Sequence, residues 1–149
     1  MIKYPKPIDD AINAFSQLPG IGRKTAERFV FYLLKQPKGD LEHFAEDIKK
    51  LQENHFFCPQ CFNFSIGDGL CEICRTPNRD ATKVCVVEEA HDLIVIENTN
   101  EFNGLYHVLG GKIDPIEGVT AETLRINQLK TRVQEHGVQE LILALNPDI

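Results

Sequence analysis

No apolar run in this chain approaches the roughly 18 residues that a bilayer-spanning helix requires. The opening residues, Met1-Ile2-Lys3-Tyr4-Pro5-Lys6-Pro7, lack the apolar core of a secretion signal. A cytoplasmic address with no membrane partner is therefore expected. Internal repeats and low-complexity tracts are also missing, which excludes a solenoid or a disordered tail. An overall excess of positive charge is lacking too, since the net charge is −6, and this argues against a chain that is a nucleic-acid glove over its whole surface. What is present, 42% hydrophobic and 26% charged residues in 149, is the composition of a folded protein with room for one ordinary domain or two to three small ones.

The charge is unevenly spread. Residues 1–55 carry nine Lys/Arg against eight Asp/Glu, residues 56–79 two against two, and residues 80–149 five against twelve. A polyanion should therefore meet the N-terminal part, and the C-terminal part offers a surface for cations or basic partners.

Along the chain, Tyr4-Pro5-Lys6-Pro7 predicts an extended arm, after which Ile8-Asp9-Asp10 opens a helix with acids in its first turn. Leu18-Pro19-Gly20 stops it, and a second helix is expected from Arg23 to about Lys35. Asp40 suits the N-cap of a third, running to about Glu53, with Leu41, Phe44, Ile48 and Leu51 at helical spacing. Helices this short bury little by themselves, so this bundle is expected to pack against the following module, a second copy of the chain, or both. After Pro77-Asn78-Arg79 the pattern changes. Val84–Val87, Leu105–Leu109 and Glu140–Leu145 read as short buried strands, and Ala90 to about Ile96, Thr120–Ile126 and Gln128–His136 as helical pieces, which together mean a parallel sheet. The chain stops four residues past the third strand, so an incomplete α/β domain with a bare edge is expected.

Four of the five cysteines form Cys58-Pro59-Gln60-Cys61, nine residues, then Cys71-Glu72-Ile73-Cys74. In a chain without an export signal, such paired knuckles are metal ligands far more often than disulfides. Four thiolates fill a tetrahedral shell and leave no place for a reactive water, so one structural Zn2+ is the expectation, with a disulfide or an iron–sulfur site as the alternatives. His55, three residues ahead of Cys58, is a substitute ligand or a surface histidine. Cys85, within Val84-Cys85-Val86-Val87, reads as a buried strand thiol.

Leu18-Pro19-Gly20-Ile21-Gly22-Arg23-Lys24-Thr25-Ala26 joins two helices through a tight glycine turn. Gly20, Ile21 and Gly22 place backbone amides at the positive start of a helix, where a phosphate can be held, and Arg23, Lys24 and Arg28 add charge. The pattern is that of a helix-hairpin-helix, which grips nucleic-acid backbone without reading bases; the alternative is a hairpin that only packs or dimerises. Glu88 and Glu89 follow the first strand directly, Asp92 lies just beyond, and Asp148 follows the third strand. Acids at the carboxyl ends of parallel strands converge on one crevice and can hold a divalent cation, or they are simply solvated.

In succession, the glycine hairpin, the four-cysteine module, Val86-Val87-Glu88, Tyr106-His107-Val108-Leu109, Ile113-Asp114-Pro115-Ile116-Glu117-Gly118-Val119 and Leu141-Ile142-Leu143-Ala144-Leu145-Asn146-Pro147 resemble the bacterial RecR family of recombination mediators over the whole chain. The resemblance implies a multidomain α+β protein: a helix-hairpin-helix domain over 1–54, a four-cysteine zinc finger over 55–79, and a Toprim domain with a parallel sheet over 80–149, incomplete at its end. It implies DNA, both single- and double-stranded, as ligand, RecO and in some organisms RecF as partners in loading RecA, and self-association as a dimer or tetrameric ring.

Catalytic Toprim domains hold magnesium with a Glu after the first strand and an Asp-x-Asp pair after the third. Glu88 matches the first position, but Asn146-Pro147-Asp148 replaces the leading Asp with a neutral amide. None of Tyr4, Tyr32 and Tyr106 is placed to cleave a strand. A non-enzymatic adaptor is therefore expected, in which Glu88, Glu89, Asp92 and Asp148 are vestigial or dock partners; the alternative is a magnesium-dependent Toprim nuclease or primase-like enzyme.

Overall fold

Pro5 and Pro7 bracket the start of the first helix without delaying it. In this computed structural model, which describes residues 4–53, 56–115 and 118–147, α1 spans Lys6–Ser16, with Pro5 as N-cap and Pro7 in the first turn, where no intrahelical N–H is needed. The extended arm expected through Pro7 thus ends at Pro5. The chain divides into two compact units, Met1–Glu53 and Asn54–Ile149.

In the first unit, α1 packs against α2 (Arg23–Leu33) around buried Ile12, Ala26 and Val30, with Ile8, Phe15 and Ile21 at the margin. α3 (Lys38–Glu53) starts two residues before Asp40, because the Pro37 carbonyl accepts from the Asp40 and Leu41 amides. Asp40 therefore lies inside the first turn and is not the N-cap. The apolar stripe of α3 is exposed, with Phe44 at 43% and Ile48 at 49%.

The second unit opens with a small antiparallel hairpin, β1 (Phe56–Phe57) against β2 (Phe64–Ser65), followed by the single-turn α4 (Glu72–Arg75). Then come β3 (Asp80–Val87), α5 (Ala90–Glu97), β4 (Gly104–Val108), α6 (Ile126–Glu135) and β5 (Glu140–Ala144). β3 is longer than the expected Val84–Val87, because its polar start also pairs with β4 across a register irregularity. Thr120–Arg125 forms turns, not helix. No helix among the described residues is long and apolar enough to cross a membrane.

The larger sheet is wholly parallel, in the order β4-β3-β5. Strand alternation sorts its side chains onto two faces. Cys85, Val87, Tyr106 and Val108 face Leu93 and Ile96 of α5, together with Phe62 and Ile73 of the cysteine-bearing segment. Val84, Val86 and Leu105 face Ile126 and Leu129 of α6. Burial on both faces explains why these strands read as continuous apolar runs. Val87 pairs with both Val108 and Ala144, so the carboxyl ends of all three strands are level.

The outer edge of β4 is covered by the cysteine module and α6. The Val108 N–H donates to the Cys61 carbonyl at 2.8 Å, and Arg132 Nη1 donates to the Tyr106 carbonyl at 2.6 Å. Unpaired strand groups are thus satisfied without another strand. On the other side, β5 leaves Leu143 67% exposed.

His107 in β4 is fully buried, its Nε2 2.9 Å from the Arg125 carbonyl and its Nδ1 without a partner among the described residues. Burial pushes its pKa from 6.5 down to about 4; the hydrogen bond to Arg125 opposes this, and the charges of Arg132 and Arg125 reinforce it. The unfolded chain takes up a proton near pH 6.5 that the folded chain refuses until pH falls to about 4. This contribution to stability is therefore intact above pH 6.5 and lost as pH falls through that window, by on the order of 3 kcal/mol. Urea unfolding of the metal-free chain at neutral pH and near pH 4.5 should show the loss, and His107→Leu should reduce the difference by about that amount; equal acid sensitivity in both proteins contradicts the assignment.

Candidate metal centre and nucleic-acid interface

The first knuckle is a tight turn between β1 and β2. The Cys58 amide donates to the Asn63 carbonyl at 2.8 Å, and the Phe62 amide donates to the Cys58 carbonyl at 2.9 Å. Phe62 adopts φ 63°, an uncommon conformation for a bulky residue, held by packing of its ring against the sheet and against His107 at 5.3 Å. The second knuckle uses helix geometry: Cys71 is the N-cap of α4, and Cys74 lies within it. Together these turns bring all four sulfurs within 4.8 Å of one another, with Cys61 and Cys71 3.5 Å apart. Tetrahedral Zn–S bonds of about 2.3 Å place sulfurs about 3.8 Å apart, so the cluster can hold such an ion. Cys58, Cys61 and Cys71 are buried and Cys74 half-buried, as a closed structural site requires. His55 lies outside the described residues.

The protons of this cluster report the same crowding. Hydrogen bonds from Cys61 and then Cys74 pull the Cys71 thiol far below its usual value, while hydrogen bonding to Cys71 and Cys74, with burial, drives Cys61 far above. A dication that displaces those protons removes the repulsion among four anions.

In the first unit, the glycine turn forms as the motif requires. Gly20 takes φ +75°, a conformation that favours a residue without Cβ, and the Ile21 amide donates to the Leu18 carbonyl at 3.0 Å. Ile21 packs beneath the helix pair, while Gly22 is the N-cap of α2. No side chain caps that helix start, and a Cβ on Gly22 would meet nothing within 4 Å. Its backbone conformation does not demand glycine either. The open helix start therefore faces outward, where an anion can accept from its amides.

The three basic side chains differ. Arg23 turns back to Asp9 at 2.7 Å and Asn13 at 3.0 Å, so it ties α2 to α1. Lys24 and Arg28 are exposed, with no ion pair among the described residues. They line a shallow depression of about 460 Å³ with Glu27, Phe31, Tyr32 and Lys35.

The strand-end acids are occupied. Glu88 is only 8% exposed, and Asn146 donates to both of its carboxylate oxygens, from its backbone amide at 3.0 Å and its side-chain amide at 2.9 Å. The Glu88 carbonyl accepts the Gly110 and Gly111 amides at 2.8 and 3.0 Å. Glu89 and Asp92 form a reciprocal capping box at the start of α5. Asp148 lies outside the described residues. The neutral residue at the leading Asp position thus supplies donors to the very acid that would otherwise hold a cation.

A family profile described as RecR, helix-hairpin-helix, matches residues 8–51, and one described as Toprim domain matches residues 82–149. A recombination protein RecR of Chloroflexus aurantiacus is 49% identical over 143 residues, covering 95% of this chain and 69% of its own length. That of Synechococcus is 47% identical, covering 98% and 73%, and that of Herpetosiphon aurantiacus 44%, covering 97% and 71%. The chain belongs to the RecR family. Its role lies in DNA recombination and repair, and the relatives are named as recombination proteins, not as enzymes.

Within this RecR chain, sequence reasoning identified the cysteine cluster and the hairpin but missed four participants. Tyr32 is 64% exposed beside Lys24 and Arg28, and Lys35 joins that face. The four-residue spacing of 24, 28 and 32 carries that signal. Asn146 was noted as a lost acid but not as a donor to Glu88. Arg132 gave no sign at all of being buried.

The Asn146–Glu88 pairing has a measurable cost of removal. Asn146→Ala keeps the backbone donor but leaves the other oxygen of a buried carboxylate without its side-chain donor, and should lower stability by about 1–3 kcal/mol in urea unfolding. Stability indistinguishable from the parent would mean that Glu88 is satisfied by other groups.

Proposed function

We propose that this RecR chain is a non-catalytic, DNA-binding adaptor of recombinational repair, in which α2 grips the sugar-phosphate backbone and one Zn2+ on Cys58, Cys61, Cys71 and Cys74 fixes the second unit. In this reading residues 1–54 hold DNA, 55–79 form the zinc finger, and 80–149 form the Toprim domain. The observation that carries it is the start of α2 at Gly22, without a side-chain cap and flanked by the exposed cations Lys24 and Arg28, which make no ion pair among the described residues. Gly20 and Ile21 set that turn, and Arg23 braces it. Contacts of this kind bind either single or double strands and carry no base sequence.

RecO and RecF are the proposed partners in assisting RecA loading, and the twelve acids against five bases over residues 80–149 support a basic partner for that part. Glu89 and Asp92, at the α5 start, are better placed for docking than buried Glu88. Self-association, as a dimer or ring, is supported by the exposed apolar stripe of α3. Several hairpins in one assembly would multiply individually weak grips. A Toprim magnesium enzyme fits less well, because Asn146 occupies both oxygens of Glu88.

Fluorescence anisotropy with a labelled oligonucleotide tests this reading. At low salt, Lys24→Glu combined with Arg28→Glu should weaken binding at least about tenfold and reduce the salt slope by about 1.5 to 2, as expected for two lost phosphate contacts. The DNA should stay intact when magnesium is added. Unchanged affinity, or cleaved or extended DNA, refutes the reading.

A further inference from the structure

We propose that Arg132 is the counter-charge of the four-cysteine centre: a buried guanidinium, presented by α6, that offsets the negative charge of the loaded site and couples metal binding to the docking of α6 on the sheet. This rests on the four-cysteine zinc reading above. Four thiolates around one Zn2+ leave a net charge of −2, and such a charge in a protein interior is costly unless a cation or hydrogen bonds offset it.

Arg132 is itself hard to explain otherwise. It is 5% exposed, yet no carboxylate pairs with it among the described residues. Nη1 donates to two carbonyls, Tyr106 at 2.6 Å and Gln60 at 3.3 Å, and Nη2 is buried without a hydrogen-bond partner among the described residues. Carbonyls orient a guanidinium but do not neutralise it, and an uncompensated buried cation destabilises a fold by several kcal/mol as an order of magnitude. Gln60 lies between Cys58 and Cys61, so the same nitrogen that holds the β4 edge also reaches the first knuckle. Burial lowers the pKa of Arg132, and the four cysteine sulfurs, Cys74 foremost, push it back up. The negative charge that Arg132 lacks from carboxylates is available in the metal centre.

The sequence of α6 shows how this is arranged. Leu129 packs on the sheet, and Arg125, the N-cap of α6, and Arg132, within the helix seven residues on, both reach the cysteine module. Arg125 lies over the rings of Phe57 at 4.8 Å and Phe62 at 5.1 Å, while Arg132 takes the knuckle carbonyl. One arginine holds the module by its aromatic rings and the other by charge. By reciprocity, whatever strengthens the metal centre strengthens the hold on α6, and loss of Arg132 weakens the metal.

Zinc affinity, measured by competition with a chromophoric chelator on the full chain, together with the absorption of the Co(II)-substituted protein, tests the proposal. Arg132→Met should weaken zinc binding about tenfold or more, the range found when outer-shell partners of a metal site are removed. Removing a nearby positive charge also makes the thiolates easier to oxidise, so the sulfur-to-cobalt charge-transfer bands should move to lower energy. Arg132→Lys, which keeps the charge but not the planar fork, should retain most of the affinity and the band position. Should Arg132→Met fail to fold, Arg132→Gln, with donors but no charge, takes its place and should show the same two changes. Unaltered affinity and bands in the uncharged variant overturn the proposal, as does an equal loss in Arg132→Lys, which would make the role one of shape. A parent chain that takes up no zinc overturns the zinc reading itself, and this inference with it.

Discussion

Four cysteine sulfurs within 4.8 Å of one another are the constraint on which the second unit depends. Such a cluster is unfavourable as thiolates alone and favourable only when protons or a cation keep the negative charges apart. Its backbone is also part of the sheet: the Cys61 carbonyl accepts the Val108 amide on the outer side of β4, and the neighbouring Tyr106 carbonyl is taken by Arg132. Phe62 and Ile73, one from beside each knuckle, complete the apolar face formed by Cys85, Val87, Tyr106 and Val108. The cysteine module is thus the cover of a strand edge and a wall of the core, not an appended finger.

This arrangement separates the charges by task. The exposed cations of α2 surround an open helix start in the first unit, and the excess of acids lies in residues 80–149. Where a Toprim enzyme would expose acids to a metal, this chain closes Glu88 with Asn146 and uses Glu89 and Asp92 to cap α5. Among the described residues at the carboxyl ends of the parallel strands, the Glu88 carboxylate is thus turned to Asn146 and away from a cation.

Much of this was legible in the sequence because local patterns carried it. Paired Cys-x-x-Cys spacing, Leu-Pro-Gly-Ile-Gly and the all-apolar strands each bear a signature a few residues long. What escaped depends on distance along the chain. Asn146 meets Glu88 across 58 residues and Arg132 meets Gln60 across 72, and no periodicity anticipates either contact. The β1–β2 hairpin was missed because strands of two residues have no alternation to read. Thr120–Ile126 reads as helical by composition, yet the chain turns there and enters the helix only at Ile126, after the Arg125 amide has bonded to the Leu109 carbonyl.

Hydrogen exchange, with the metal bound and after its removal by a chelator, tests the central claim that the metal centre holds the sheet edge. If it does, removal should speed exchange at the amides of Phe62 and Val108 and along α6, while the amides of α2 around Val30 keep their protection. Equal protection of Val108 and α6 with and without metal would contradict the account.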